Sequence, residues 1–386
     1  MKPTIKTIAS QPSWVVRNKN IELAVTKAGG QMAPVTFFRN TAKPVRPYYI
    51  SPWQGEGLKI GDPVLVPLRG DFFCAPFGAN VDAYRGEQYC CHGEPATRKW
   101  TFGTLEQVDK FTCLALSMKT KTRPGRIGKG IMLVEGQNVI YTIHSLSGFS
   151  GSMPVGHHAT LALPEAEGAM LVSTSEFKLG LTNPTPTENP AGGVYQSFAL
   201  GGKFTDLSRM PLRWKDQSFG DCTAFPIRKG YDDLLAVFKK PSKTPAWTVA
   251  VNTVEGYLWY SFKDPAVLPA TAFWISNLGN HASPFSGRNR CLGLEDVCAY
   301  FAEGLADSVR ANRVSRAGFP TALKLSPKTP TAIHYIQGVA KVPRTFGRVV
   351  KVNFAPGKAT FVSSKRKKVT VNVCHEFIFD SDLAAD

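Results

Sequence analysis

Met153-Pro154-Val155-Gly156-His157-His158-Ala159-Thr160-Leu161-Ala162-Leu163-Pro164 is bounded by prolines and alternates between them. From His157 onward, Ala159, Leu161 and Leu163 share one parity and His158, Thr160 and Ala162 the other, which is the period of a strand. The same period recurs in Val139–Ile143, Trp247–Thr253, Thr271–Ile275, Arg348–Phe354 and Lys368–Val373. Between these runs fall 34 glycines and 28 prolines, spread along the chain rather than gathered in a linker. Helical spacing is scarce: only Val297–Val309 places Val297, Tyr300, Phe301, Leu305 and Val309 on one side. The pattern predicts an all-β protein of stacked antiparallel sheets with minor helix. Leu181–Gly193 (LTNPTPTENPAGG) reads as a long loop and Thr120–Gly130 (TKTRPGRIGKG) as a basic, glycine-rich one. Neither flank shifts composition enough to mark a boundary, so residues 1–386 are expected to form one domain.

The 386 residues carry 46 Lys plus Arg against 29 Asp plus Glu, a formal net charge of +17, while 43% are hydrophobic. That excludes a disordered or acidic tail protein. No run reaches the roughly 20 apolar residues of a membrane helix. Met1–Val16 has no apolar signal core. Eight cysteines (Cys74, Cys90, Cys91, Cys113, Cys222, Cys291, Cys298, Cys374) include no C-x-x-C pair and read as reduced thiols, which favours a cytoplasmic location. The excess positive charge fits nucleic acid, an acidic membrane face or anionic small substrates, and by itself does not choose among them.

Several suggestive motifs fail on spacing. Arg123–Gly130 lacks the Ser or Thr after Lys129 that a phosphate loop needs, and reads as a hairpin turn. His375-Glu376 has no second histidine on the same helical face, and Cys90-Cys91-His92 places successive side chains on opposite sides of an extended chain. No metal site is expected. The cluster Ser363–Lys368 reads as a solvated turn between two strands, and without interleaved aromatics no nucleic-acid partner is expected.

Three segments place rare polar groups among apolar ones, where an unpaired polar side chain is costly. They are Leu68–Gly78 followed by Cys91–Pro95 and Trp100; Met153–Pro164; and Trp274–Asn277 followed by Arg290–Val297. Arg69 is either a surface residue with an ion-pair partner or a ligand-binding cation. His92 either bonds its own loop or presents an imidazole to a cleft. His157 and His158 cannot both face one cleft. His158 is favoured because Thr160 and Ala162 on its side leave room for a ligand, with His157 kept as a possible binding residue. Glu295, amid Leu292, Leu294, Val297 and Cys298, is either paired structurally or held for proton transfer with a raised pKa.

In order, R-G-x-F-x-C-x-P-F-G, H-G-x-x-x-x-R-x-W, a strand histidine and W-x-x-N followed by a strand with L-E resemble the aldose 1-epimerase (galactose mutarotase-like) superfamily. Within it the hexose-6-phosphate epimerase branch is nearest in flavour. The resemblance implies a large antiparallel two-layer β-sandwich with a carbohydrate cleft, and an isomerase interconverting α and β anomers of a sugar or sugar phosphate. Carried over, Glu295 matches the general base, His158 the general acid, His92 the substrate-binding histidine and Arg69 the substrate-binding arginine. The family's N-H-x-Y-F-N around the acid reads Gly156–Leu161 here, without its asparagine and aromatic neighbours. Asp206, Asp221 and Asp232 are nominal candidates for its sugar-binding aspartate.

The chemistry needs no metal or redox cofactor: a base takes the anomeric O–H proton, an acid protonates the ring oxygen, and reclosure reverses the roles. Glu295 is expected to be ionised and His158 protonated in the resting enzyme. The net charge favours an anionic sugar, with Arg69, Arg98 and Lys99 nearest to it. The alternative is a carbohydrate-binding protein without turnover, suggested by the altered neighbours of His158.

Overall fold

The structure, a computed structural model, describes residues 3–380. Two large antiparallel sheets stack face to face. Seven strands form the first, in the order Lys203–Phe204, Leu179–Thr182, Tyr231–Phe238, Ala270–Asn277, Arg290–Cys298, Val155–Ala162 and Phe73–Cys74. Nine strands form the second, from Ala224–Phe225 through Ala246–Asn252, Thr331–Lys341 and Val139–Ser147 to the edge strand Thr101–Val108. An N-terminal four-stranded meander (Thr4–Ile8, Gln11–Arg17, Glu22–Thr26, Met32–Thr36) completes the main core.

Alternation along each strand divides the apolar residues into three layers. Between the sheets lie Ala159, Leu161, Leu235, Val237, Phe273, Ile275, Leu292 and Leu294. The outer face of the nine-stranded sheet, with Val249, Tyr260, Phe262 and Ile336, is covered by a further three-stranded sheet (Val349–Ala355, Lys358–Ser363, Lys368–Asn372), which buries Val352, Ala359 and Phe361. The outer face of the seven-stranded sheet carries Phe72, Leu234, Ala272 and Val297 under a cover of loops.

All six runs of period two lie in strands. Thr120–Gly130 is a tight hairpin: Phe111–Thr120 pairs with Gly125–Val134, so most of its glycines are strand residues rather than loop. Ser363–Lys368 is the turn between two strands of the covering sheet. The helix expected over Val297–Val309 is corrected. Within the expected span only Leu305–Val309 is helical; Val297 belongs to the strand Arg290–Cys298, and Tyr300 and Phe301 lie in the turn that follows it. All eight cysteines are free thiols.

Candidate active site

Strand Val155–Ala162 pairs with Arg290–Cys298 so that His158 stands directly opposite Glu295 and Thr160 opposite Gly293. Opposed residues on one face of an antiparallel pair come within about 5 Å. His158 Nε2 accordingly lies 3.1 Å from Glu295 Oε1. Gly293, two residues before Glu295 on the same face, is what lets the carboxyl lean across, because a Cβ there would sit 2.6 Å from Oε1. The imidazole is fixed on every side. Its Nδ1 meets Thr160 Oγ1 at 3.1 Å, Phe72 stacks on it at 4.5 Å, and Trp274 meets it edge-on at 5.7 Å.

His92 arrives from a loop. It holds a left-handed backbone (φ 59°) just before the short helix Gly93–Thr97, and Gly93 is required there because a Cβ would meet the Ala75 carbonyl oxygen at 2.3 Å. The Gly78 N–H donates to His92 Nδ1 at 3.3 Å, which leaves the proton of the neutral ring on Nε2. Its ring meets that of His158 edge-on at 4.9 Å.

These groups floor a cleft of about 330 Å³. Its walls are Trp274 and Phe285, and its rim carries Asp62, Thr187 from the proline-rich loop, and Asn280. Asp232 lines it from strand Tyr231–Phe238, with Oδ2 accepting from Ser276 Oγ at 3.0 Å and Oδ1 from the Gly279 N–H at 3.1 Å. Its neighbour Asp233 is consumed by structure, taking the Ser197 and Phe198 N–H groups at 2.8 and 2.9 Å. Among the described residues no lysine or arginine lines the cleft.

Burial sets the protonation. It pushes the Glu295 carboxyl up to about 8, with the Asp296 charge adding to the effect. It also drives His158 well below the usual histidine range, and His92 to about 4. Burial thus works against the expected resting carboxylate and imidazolium and favours a carboxylic acid beside a neutral imidazole. Asp232 is pushed up by burial to about 6. Asp296, on the opposite face of the Glu295 strand, stays ionised because Lys263 at 2.5 Å and hydroxyls of Ser261, Thr271 and Tyr335 outweigh its burial.

Two expected site residues belong elsewhere. Arg69 is fully buried and donates to the carbonyls of Pro67, Ile8 and Ala9 and to Gln54 Oε1, at 2.7–2.9 Å. It ties the first hairpin to the loop under it and does not line the cleft. His157 points between the sheets, with Nδ1 3.0 Å from Asp71 Oδ2 and its ring stacked on Tyr335 at 4.0 Å. Strand alternation left one of the two histidines no other place. Arg98 is spent on Glu94 at 3.2 Å, and neither it nor Lys99 lines the cleft. Of the three nominal aspartates, Asp206 and Asp221 cap turns at Ser208 and Thr223, and only Asp232 reaches the site. Trp274 was readable by its parity with Ala272 and Ser276, whereas Phe285 and Asn280 sit in loops with no periodic signal.

The architecture has counterparts of known structure. A galactose mutarotase-like protein from Clostridium acetobutylicum aligns with a TM-score of 0.60 at 11% identity, over 88% of this chain and 98% of its own. The fold is that of the galactose mutarotase-like proteins. A galactose mutarotase related enzyme from Lactobacillus acidophilus shares this mutarotase-like fold with a TM-score of 0.54 at 11% identity, over 86% of this chain and 98% of its own. An Escherichia coli K12 protein provisionally assigned as an aldose 1-epimerase gives 0.55 at 13% identity, over 86% and 99%. No family model matches the chain, and no curated protein matches it in sequence.

Proposed function

We propose that the cleft is an aldose 1-epimerase site that opens and recloses the ring of an uncharged aldose. The carrying observation is the His158–Glu295 pair, 3.1 Å apart and lining the cleft, close enough to pass one proton between them. Transfer of that proton from Glu295 to His158 Nε2 produces the working form. The carboxylate then removes the anomeric O–H proton while the imidazolium protonates the ring oxygen, and reclosure after rotation about C1–C2 returns both protons. His92 Nε2–H and Asp232 supply a donor and an acceptor for ring hydroxyls, and Trp274 with Phe285 gives the apolar face of a pyranose a wall. A lining with carboxylates and no cation favours a sugar without phosphate, against the reading from net charge.

Glu295→Gln keeps the shape of the site and removes its transferable proton. Anomer exchange followed by NMR across a panel of aldoses is expected to fall by about 10²- to 10⁴-fold while the fold persists. Unchanged exchange in that variant contradicts the proposal. Sugar binding by calorimetry with no acceleration by the native protein selects the binding-only alternative.

A further inference from the structure

Between Ser308 and His375 the chain has 14 lysines and arginines and no aspartate or glutamate, whereas the rest carries 32 against 29. Most of the net charge of the protein therefore sits in one segment, and that segment includes the three-stranded sheet covering the back of the sandwich. The inner residues of this sheet, Val352, Ala359, Phe361 and Val373, are buried against the nine-stranded sheet. Its outer face is polar and follows the strand register. Lys351 and Lys368 flank Val362 in one row, Asn353, Thr360 and Thr370 make the next, and Ala355, Lys358 and Asn372 the third. Strand spacing puts the first two lysines roughly 10 Å apart and Lys358 about 14 Å along from their row. Lys365 and Arg366 extend the positive surface into the adjoining turn, where both are exposed.

None of these five cations takes part in the ion pairs found among the described residues. The next carboxylates along the chain are Glu376 and Asp380; Glu376 reaches the edge of the sheet, where its Oε1 accepts from the Gly357 N–H of the hairpin turn at 3.4 Å and pairs with His375 at 3.4 Å, a single carboxylate beside five cations. Such a surface repels itself without a counter-charge, so it is built for an anionic partner. The kind of anion follows from what accompanies the lysines. The outer rows contain no aromatic ring on which a base could stack, which is against single-stranded nucleic acid. They lie on a three-stranded sheet rather than on an amphipathic helix that could enter a bilayer. What lies between the lysines is a line of hydroxyls and amides, with Thr360 and Thr370 Oγ1 atoms 2.8 Å apart, groups that pair with sugar hydroxyls.

We propose that this face binds an acidic polysaccharide, one bearing uronate or sulfate groups, and so holds the protein on a polyanion with the cleft turned away on the opposite side. The proposal is carried by the sheet alone and does not depend on the chemistry assigned to the cleft. It is tested by titrating the full chain against polygalacturonate, neutral dextran, a short DNA duplex and phosphatidylserine vesicles at several salt concentrations. Polygalacturonate is expected to bind most tightly among the four and to weaken with salt. The triple variant Lys351→Gln, Lys358→Gln, Lys368→Gln, all at exposed positions, is expected to bind it roughly 100-fold more weakly with unchanged circular dichroism. Absence of binding, binding indifferent to the triple variant, equal binding to dextran, or tighter binding to duplex or vesicles each overturns it.

Discussion

The cleft and the lysine-bearing sheet occupy opposite outer faces of one sandwich, and they handle charge in opposite ways. In the cleft, burial among Phe72 and Trp274 works against charge on Glu295 and the imidazoles, and raises Asp232 to about 6. On the covering sheet, Lys351, Lys358 and Lys368 stand in water and keep theirs. Net charge averages over both and describes neither. Part of the number that suggested an anionic substrate sits on the covering sheet, on the far side of the molecule from the pocket that would have to bind it.

The largest effect expected is on the buried side, where Glu295→Gln should abolish most anomer exchange by removing one member of a two-group relay. Next comes Arg69→Met. It should lower the unfolding free energy by about 3 kcal/mol in a denaturant titration, because a buried guanidinium and its four hydrogen bonds to Pro67, Ile8, Ala9 and Gln54 are lost. Properly folded protein should keep its affinity for sugar. A loss of binding without a loss of stability would return Arg69 to the site and blur the boundary between cleft and frame.

The pH dependence sharpens the contrast further. The pair works while it holds one proton, so kcat/KM should fall about tenfold per pH unit above about 8, where Glu295 releases it. Stability should follow the same group. The folded state keeps the Glu295 proton while the unfolded chain loses it near 4.5, so native stability declines as pH rises from there to about 8. That slope should flatten in Glu295→Gln, as read by thermal unfolding at several pH values. The smallest effect belongs to the other face: the triple lysine variant should leave anomer exchange within about twofold of native, since distant sites act independently.

How much of this was legible in the sequence depended on whether a residue's role was local. Strand alternation in Val155–Ala162 is enough to separate His158 from His157, and the apolar run around Glu295 marks it as a buried carboxyl. Glu295 and His158 do meet, because their two strands pair in register. Arg69 could not be read the same way. Its partners Ile8 and Ala9 lie some sixty residues back along the chain, and no periodicity announces a hairpin folded over a guanidinium. The protonation of the pair was likewise hidden, because it comes from total burial and from Asp296 on the reverse side of the same strand. Val297–Val309 was read as too long a helix because apolar residues of a strand end, a turn and the short helix Leu305–Val309 happen to fall at helical spacing.

The central claim is that a cleft lined by carboxyl groups and imidazoles, with no lysine or arginine, turns over an uncharged sugar despite the basic character of the whole chain. Anomer-exchange NMR on a matched pair, a hexose and its 6-phosphate, tests it most directly. Faster exchange of the free hexose, lost in Glu295→Gln, is the predicted result. Preference for the phosphate, or exchange of neither sugar above the buffer rate, would contradict it.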